Sequence, residues 1–152
     1  MSINHKKNWR ENGFTLLETL IALALGAMIS LVIVITVSAG LKSIRDANET
    51  ERLHSDSTFI AATLTYWIKQ SQAMATPNPT TLNLTLFDAS TKSFALDGVD
   101  LELDGARINT EDSEVERIEF TKLARSVRVS FTLRSPNSGL TISATSTVAQ
   151  RN

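Results

Sequence analysis

The residue in this chain with the most chemical consequence is Glu18. It sits at the head of an apolar run that carries no further charge until Lys42. A carboxylate in a segment of that kind is expensive: an acid at mid-membrane depth costs about 2.5 to 3.5 kcal/mol on insertion scales. It therefore needs a partner. Four residues earlier stands the pair Gly13-Phe14, preceded by Lys6, Lys7 and Arg10. A cut after Gly13 would give Phe14 a free α-amine, cationic near neutral pH with a reference pKa of roughly 7.7 to 8.0. That cation would lie about one helical turn from Glu18. Ammonium and carboxylate could then neutralise each other within one chain or between neighbouring chains.

The apolar run must hold these groups at a membrane boundary. Leu20 to Val37 covers 18 residues, interrupted only by Gly26, Ser30 and Thr36. At about 1.5 Å per residue this spans roughly 27 Å, close to the thickness of a hydrocarbon core. The basic leader favours a cytoplasmic N-terminus, although Lys42, Arg45 and Arg52 on the far side weaken that bias. Two other readings compete. Val37-Ser38-Ala39 before Gly40 has the form of a secretory cleavage site, and an uncut signal anchor would also fit the apolar length. Neither gives Glu18 a role, and the run exceeds the usual ~7 to 15 residues of a secretory signal.

Taken together, Lys6, Lys7 and Arg10 followed by Gly13-Phe14-Thr15-Leu16-Leu17-Glu18-Thr19-Leu20-Ile21-Ala22-Leu23 resemble the signal sequence of type IV prepilins and type II secretion pseudopilins. The resemblance implies that a prepilin peptidase cuts between Gly13 and Phe14 on the cytoplasmic side and N-methylates Phe14. It also implies that Glu18 is the assembly glutamate, pairing with the amine of an adjacent subunit. The implied partners are the peptidase, other pilin or pseudopilin subunits, an inner-membrane assembly platform, and lipid before assembly. The implied localisation is the inner membrane, single-pass with the head outside, then a periplasmic pseudopilus or a surface pilus. One departure is that the apolar helix has Gly26 but lacks the proline that many major pilins carry.

Beyond the membrane segment, Leu53, Ile60, Leu64, Trp67 and Ile68 mark one helical face, which Ala61, Met74 and Ala75 extend and Asp56 interrupts. Phe59, Ala62 and Tyr66 form a second, narrower apolar edge. Tyr66 and Trp67 are expected to pack in the core. Thr76-Pro77-Asn78-Pro79 is a strong stop. One helix from about Phe14 to Ala75 is expected.

From Thr80 the period becomes two. Leu82, Leu84 and Leu86 alternate with polar residues. Phe94 and Leu96 run into Asp97-Gly98, and Val99, Leu101 and Leu103 run into Asp104-Gly105, both hairpin signals. Val115, Ile118 and Phe120 mark a strand whose edge the spacing leaves uncertain. Val127 to Leu133 and Leu140 to Val148 form the clearest hairpin, around Ser135-Pro136-Asn137-Ser138-Gly139. The fold class is α+β and pilin-like: one long N-terminal helix packed against an antiparallel β-sheet head. The expected organisation is a leader over 1–13, a transmembrane or filament-core part over 14–41, an amphipathic part of the same helix over 42–76, and a β-rich head over 80–152. The ending resembles the minor-pilin and J-type pseudopilin branch.

Composition narrows the chemistry. The 152 residues carry a net charge of −1 and no cysteine, so thiol catalysis, a Cys-ligated metal and a disulfide are excluded. With Lys6, Lys7 and Arg10 set against Glu11, the leader is +2 and the remainder −3. That balance does not call for nucleic acid as a partner. Asp97, Asp100, Glu102 and Asp104, with Glu111, Asp112 and Glu114 nearby, form an acidic cluster. Its spacing matches no calcium loop. No nucleophile–base arrangement and no glycine-rich phosphate loop is present, so neither catalysis nor a cofactor is expected. The reading is a structural, minor filament subunit. The alternatives are an adhesive or DNA-binding tip module using Arg125, Arg128 and Arg134, and a membrane-anchored or secreted domain without a filament role.

Overall fold

A computed structural model describes residues 15–150. The order is one helix followed by eight strands: α1 (Leu16–Lys69), β1 (Ser71–Asn78), β2 (Thr81–Leu86), β3 (Thr91–Asp97), β4 (Asp100–Leu103), β5 (Ala106–Arg107), β6 (Glu114–Lys122), β7 (Ser126–Arg134) and β8 (Thr141–Ala149). The chain falls into two compact units, one up to Ser43 and one from Ile44 onward. The second unit contains the core.

From Ile44 on, α1 buries Leu53, Ser57, Ile60, Leu64 and Ile68, a spacing of four, three, four and four that keeps one stripe on the sheets. Facing it are Leu82, Leu84, Phe94 and Leu101 from one sheet and Val115, Ile118, Val127, Val129, Phe131 and Leu133 from another. Each strand contributes alternate residues, as the pleat requires. Sequence periodicity found this helical face, with Ser57 filling a position that hydropathy passes over.

The helix ends earlier than the apolar pattern suggests. The expected helical face continued through Met74 and Ala75, but α1 stops at Lys69 and Ser71–Asn78 is a strand. Ser71 is buried and donates its hydroxyl to the Ile68 carbonyl at 2.7 Å, satisfying one of the helix's last free acceptors. Met74 still reaches the core, now as the inward residue of β1. Pro77 belongs to the strand as well. It sits on a sheet edge, where a missing N–H is tolerated, and the ladder is irregular between Ala75 and Asn78.

The head holds two antiparallel sheets where one was expected: β1-β2-β3-β4-β5 and β6-β7-β8. The break falls at Ile108–Ser113, where Asn109 takes over backbone pairing. Its buried side chain accepts from the Leu101 amide at 2.8 Å and donates to the Ser113 carbonyl at 2.6 Å. Individual backbone bonds tie β6 back to the first sheet, Val115 donating to the Val99 carbonyl and Phe120 to that of Pro79. The uneven spacing of Val115, Ile118 and Phe120 has a local cause. A register shift between Val115 and Arg117 leaves Glu116 as the extra residue of a bulge, so Val115 and Ile118 both face inward.

The two Asp-Gly signals make different turns. Leu103 pairs with Ala106, so Asp104 and Gly105 are the loop residues, both at positive φ (53° and 80°), as a type I′ turn requires. Asp97 pairs with Asp100, so Gly98 and Val99 form the loop, and only Gly98 is at positive φ (61°). Here the aspartate closes the strand and glycine opens a II′-type turn.

Candidate processing and assembly site

Of the residues singled out in the N-terminal region, Glu18 lies within the described part of the chain. Lys6, Lys7, Arg10, Gly13 and Phe14 lie outside it. Thr15 is the N-cap of α1 and Glu18 stands three residues into the helix. The Glu18 amide donates to the Thr15 hydroxyl at 3.2 Å. In return, Glu18 Oε2 accepts the Thr15 amide at 3.5 Å and the Thr15 hydroxyl at 3.4 Å. This is a capping box, in which two free donors of the first turn are satisfied reciprocally. The negative charge also lies at the positive end of the helix dipole. Glu18 therefore has a partner inside its own chain, which the sequence reading missed. The signal was present as Thr-x-x-Glu directly before an apolar run.

The helix then runs without a break through Gly26. Its side chains from Leu16 to Ile44 are exposed, with Leu16 at 85% and Leu23 at 75%. In water such a surface is costly, at about 25 cal/mol per Å². The segment is long and apolar enough to cross a membrane. Its hydroxyls from Thr19 to Ser38 are already spent. Thr19 donates to the Leu16 carbonyl, Ser30 to Gly26, Thr36 to Val32 and Ser38 to Val34, all within 2.9 Å. This back-bonding removes the polar demand that lipid or a packed helix could not meet.

Residues 10–39 match a family model described as the prokaryotic N-terminal methylation motif. The chain carries an N-terminal methylation motif, which supports a likeness to type IV pilins and pseudopilins. The match spans both flanks of the Gly13-Phe14 junction, the capping box and the whole apolar run. No curated protein and no solved structure gives a significant match to the chain. The α+β architecture, a long N-terminal helix whose later part packs on antiparallel sheets, is pilin-like.

In the head, Asp88, Asp100 and Asp104 are engaged with neighbours. Asp104 accepts from Lys92 Nζ at 2.6 Å and from the Ser93 amide at 2.8 Å, and these bonds, the lysine first, hold its carboxyl below the usual range. The Ser90 hydroxyl and amide do the same for Asp88. Asp100 pairs with Arg107 at 3.1 Å. Among the described residues no three His, Asp or Glu side chains converge on a metal position.

Asp56, which breaks the apolar stripe in the sequence, has a clear role. It accepts the hydroxyls of Ser113 at 2.5 Å and Thr110 at 2.6 Å. Arg52 reaches Asp112 at 3.3 Å beside it. The segment that separates the two sheets is thus fastened to the helix.

Tyr66 and Trp67 part company. Trp67 packs against the core, with Lys92 Nζ at 5.1 Å from its ring centre. Tyr66, expected in the core, is 57% exposed, as is Phe59 one face-repeat earlier. The narrower Phe59–Tyr66 edge points to solvent because the sheets cover only the Leu53–Ile68 stripe. Arg128 and Arg134 are exposed on the outward face of β7.

Proposed function

We propose that the chain is a structural subunit of a type IV pilus or type II secretion pseudopilus, and a minor one. It is made as a prepilin, cut between Gly13 and Phe14, methylated on Phe14, and assembled through its N-terminal helix. The observation that carries this reading is the methylation-motif match over residues 10–39, coincident with an exposed apolar helix whose first turn holds Glu18.

The mechanism follows from the cap. A cut at Gly13/Phe14 leaves Thr15 and Glu18 untouched, so the capping box persists while a new cation forms beside it. Before assembly, Thr15 shares the carboxylate and lowers the cost of holding it at the membrane boundary. When a second processed chain arrives, its amine is a stronger partner than a neutral hydroxyl, because it adds attraction between two full charges, which grows as the dielectric falls. Glu18 then sets the axial register, and burial of the exposed aliphatic residues drives helix packing. Orientation with the N-terminus in the cytoplasm follows from Lys6, Lys7 and Arg10. The absence of cysteine supports a minor rather than a major subunit.

The test is recovery of the chain, expressed with a prepilin peptidase and an assembly platform, in sheared or detergent-insoluble filaments. Wild type should enter that fraction. Its exclusion, with cleavage intact and other subunits assembled, would defeat the proposal.

A further inference from the structure

The head has four sheet edges, and three are protected. β1 carries Pro77 and two register irregularities. β5 is two residues long. β6 carries Glu114, Glu116, Arg117, Glu119 and Lys122, contains a bulge, and bonds back to the first sheet. Length, proline, charge and bulges are the usual means by which proteins keep an edge from pairing.

β8 has none of them. It is nine residues, Thr-Ile-Ser-Ala-Thr-Ser-Thr-Val-Ala, without charge or proline. Its pairing with β7 runs from Arg134↔Thr141 to Ser126↔Ala149 without a register shift. Among the described residues β7 is its only strand partner. On the inner face, Ile142 and Ala144 pack at the margin of the core and are only partly covered. An uncovered, regular edge beside incompletely buried aliphatic residues is the geometry that accepts an added strand.

The charges beside this edge select the occupant. The outward face of β7 and β8 presents Arg128 and Arg134, aligned with Thr147 and Thr141, and no acid, while Glu114 of β6 is the cross-strand neighbour of Arg134 on the side away from the free edge. Neither arginine has an ion-pair partner among the described residues. A strand added to β8 would lie two strand spacings from β7, about 9.5 Å, within reach of an arginine leaning across a threonine. A second copy paired through its own β8 would bring only more arginines to that face.

We propose that β8 is a docking edge for an extended segment of a partner protein, alternating apolar residues inward with hydroxyl and acidic residues outward. Backbone bonds along β8 supply affinity, Ile142 and Ala144 take the inward side chains, and Arg128 and Arg134 select acids at the outward ends. The inference concerns the head alone and does not depend on processing at Phe14.

The test uses the full chain in detergent micelles with a synthetic peptide, Val-Glu-Val-Thr-Val-Thr-Val-Glu-Val, whose acids stand six residues apart like Arg128 and Arg134, read by hydrogen–deuterium exchange and fluorescence anisotropy. Its pattern reads the same in both directions, so it serves either strand orientation. The peptide should slow exchange across 141–149 and bind about fivefold more tightly than the version with lysine in place of both glutamates, at low salt. The exposed double variant Arg128→Glu/Arg134→Glu should reverse that preference. No slowing at millimolar peptide, or equal affinity for both peptides, would overturn the proposal. So would slow exchange of β8 in the free chain together with a two-copy mass by light scattering, which would give the edge to a second copy.

Discussion

Replacing Asp56 by leucine separates two physical accounts of the head. By hydropathy, Asp56 is a flaw in the Leu53–Ile60–Leu64 stripe, and leucine would repair it. Burying a leucine side chain would then stabilise the head by as much as about 1.5 kcal/mol or more. The structure gives the opposite sign. Asp56 accepts two short hydroxyl bonds, from Ser113 at 2.5 Å and Thr110 at 2.6 Å. Bonds to a charged group contribute about 1.5 to 3 kcal/mol each when shielded, and Asp56 is only half-buried, so about 2 kcal/mol for the pair is the reasonable scale. Ser113 is almost fully buried, and its hydroxyl would keep only the long contact to the Thr110 hydroxyl at 3.4 Å, which adds a desolvation cost. Asp56→Leu should therefore destabilise by about 2 to 3 kcal/mol, and Asp56→Ala by a similar amount. Both hydroxyls donate to Oδ2, so Asp56→Asn, whose amide oxygen can accept both bonds but without the charge, should cost about half as much. The assay is urea unfolding of the full chain in micelles, followed by tryptophan fluorescence and far-UV circular dichroism. A double-mutant cycle with Ser113→Ala should return a coupling of about 1 kcal/mol. Stabilisation by leucine, or a coupling near zero, would refute the argument that the sheet-to-sheet segment is fastened through this residue.

Glu18→Ala should leave cleavage intact, since the cut lies on the other side of Thr15, but should reduce filament incorporation strongly; immunoblots of sheared filaments check both. Thr15→Val should weaken the cap, with a helix cost of about 1 kcal/mol, and lower incorporation less than Glu18→Ala does, in the same blots. Gly13→Leu should block cleavage, visible as retention of the precursor mass, and continued production of a Phe14 terminus would contradict the reading. The Asp104 carboxyl lies below its ordinary range in the folded head, held there by Lys92 and Ser93. Its contribution to stability is therefore present above about pH 4 and lost as pH falls further, because the unfolded chain takes up the proton first. Thermal melts between pH 7 and pH 3 should show a decline below pH 4 that Asp104→Asn makes shallower.

Much of this architecture was legible because two periods dominate the chain. Leu53, Ile60, Leu64 and Ile68 announce a helix at intervals of seven, four and four, and Val127 to Leu133 announces a strand at intervals of two. The methylation motif was legible for a different reason: Glu18 violates hydropathy, and a violation with basic residues and Gly13-Phe14 before it has few explanations. What periodicity could not show was where one period hands over to the next. Met74 and Ala75 suit a helix or a strand equally. The hydroxyl of Ser71 and pairing with β2 decide between them, and pairing is a non-local event. The division into two sheets depends on Asn109, a buried amide with no hydropathic signature. Tyr66 was misread by the rule that an apolar helix face is buried, and the interruption at Asp56 was noted without its partners. The sheets cover only one stripe, so Tyr66 stays outside it, while Asp56 at the stripe's margin meets two hydroxyls.

The most direct test of the central claim is the N-terminus of the native chain. The protein is extracted from membranes of cells with an active prepilin peptidase and analysed by intact-mass and N-terminal peptide mass spectrometry. The account predicts a chain beginning at N-methylated Phe14, one methyl group heavier than the free amine. A terminus at Gly40, or an uncut chain beginning at Met1, would contradict it and leave Glu18 with the capping box as its only role.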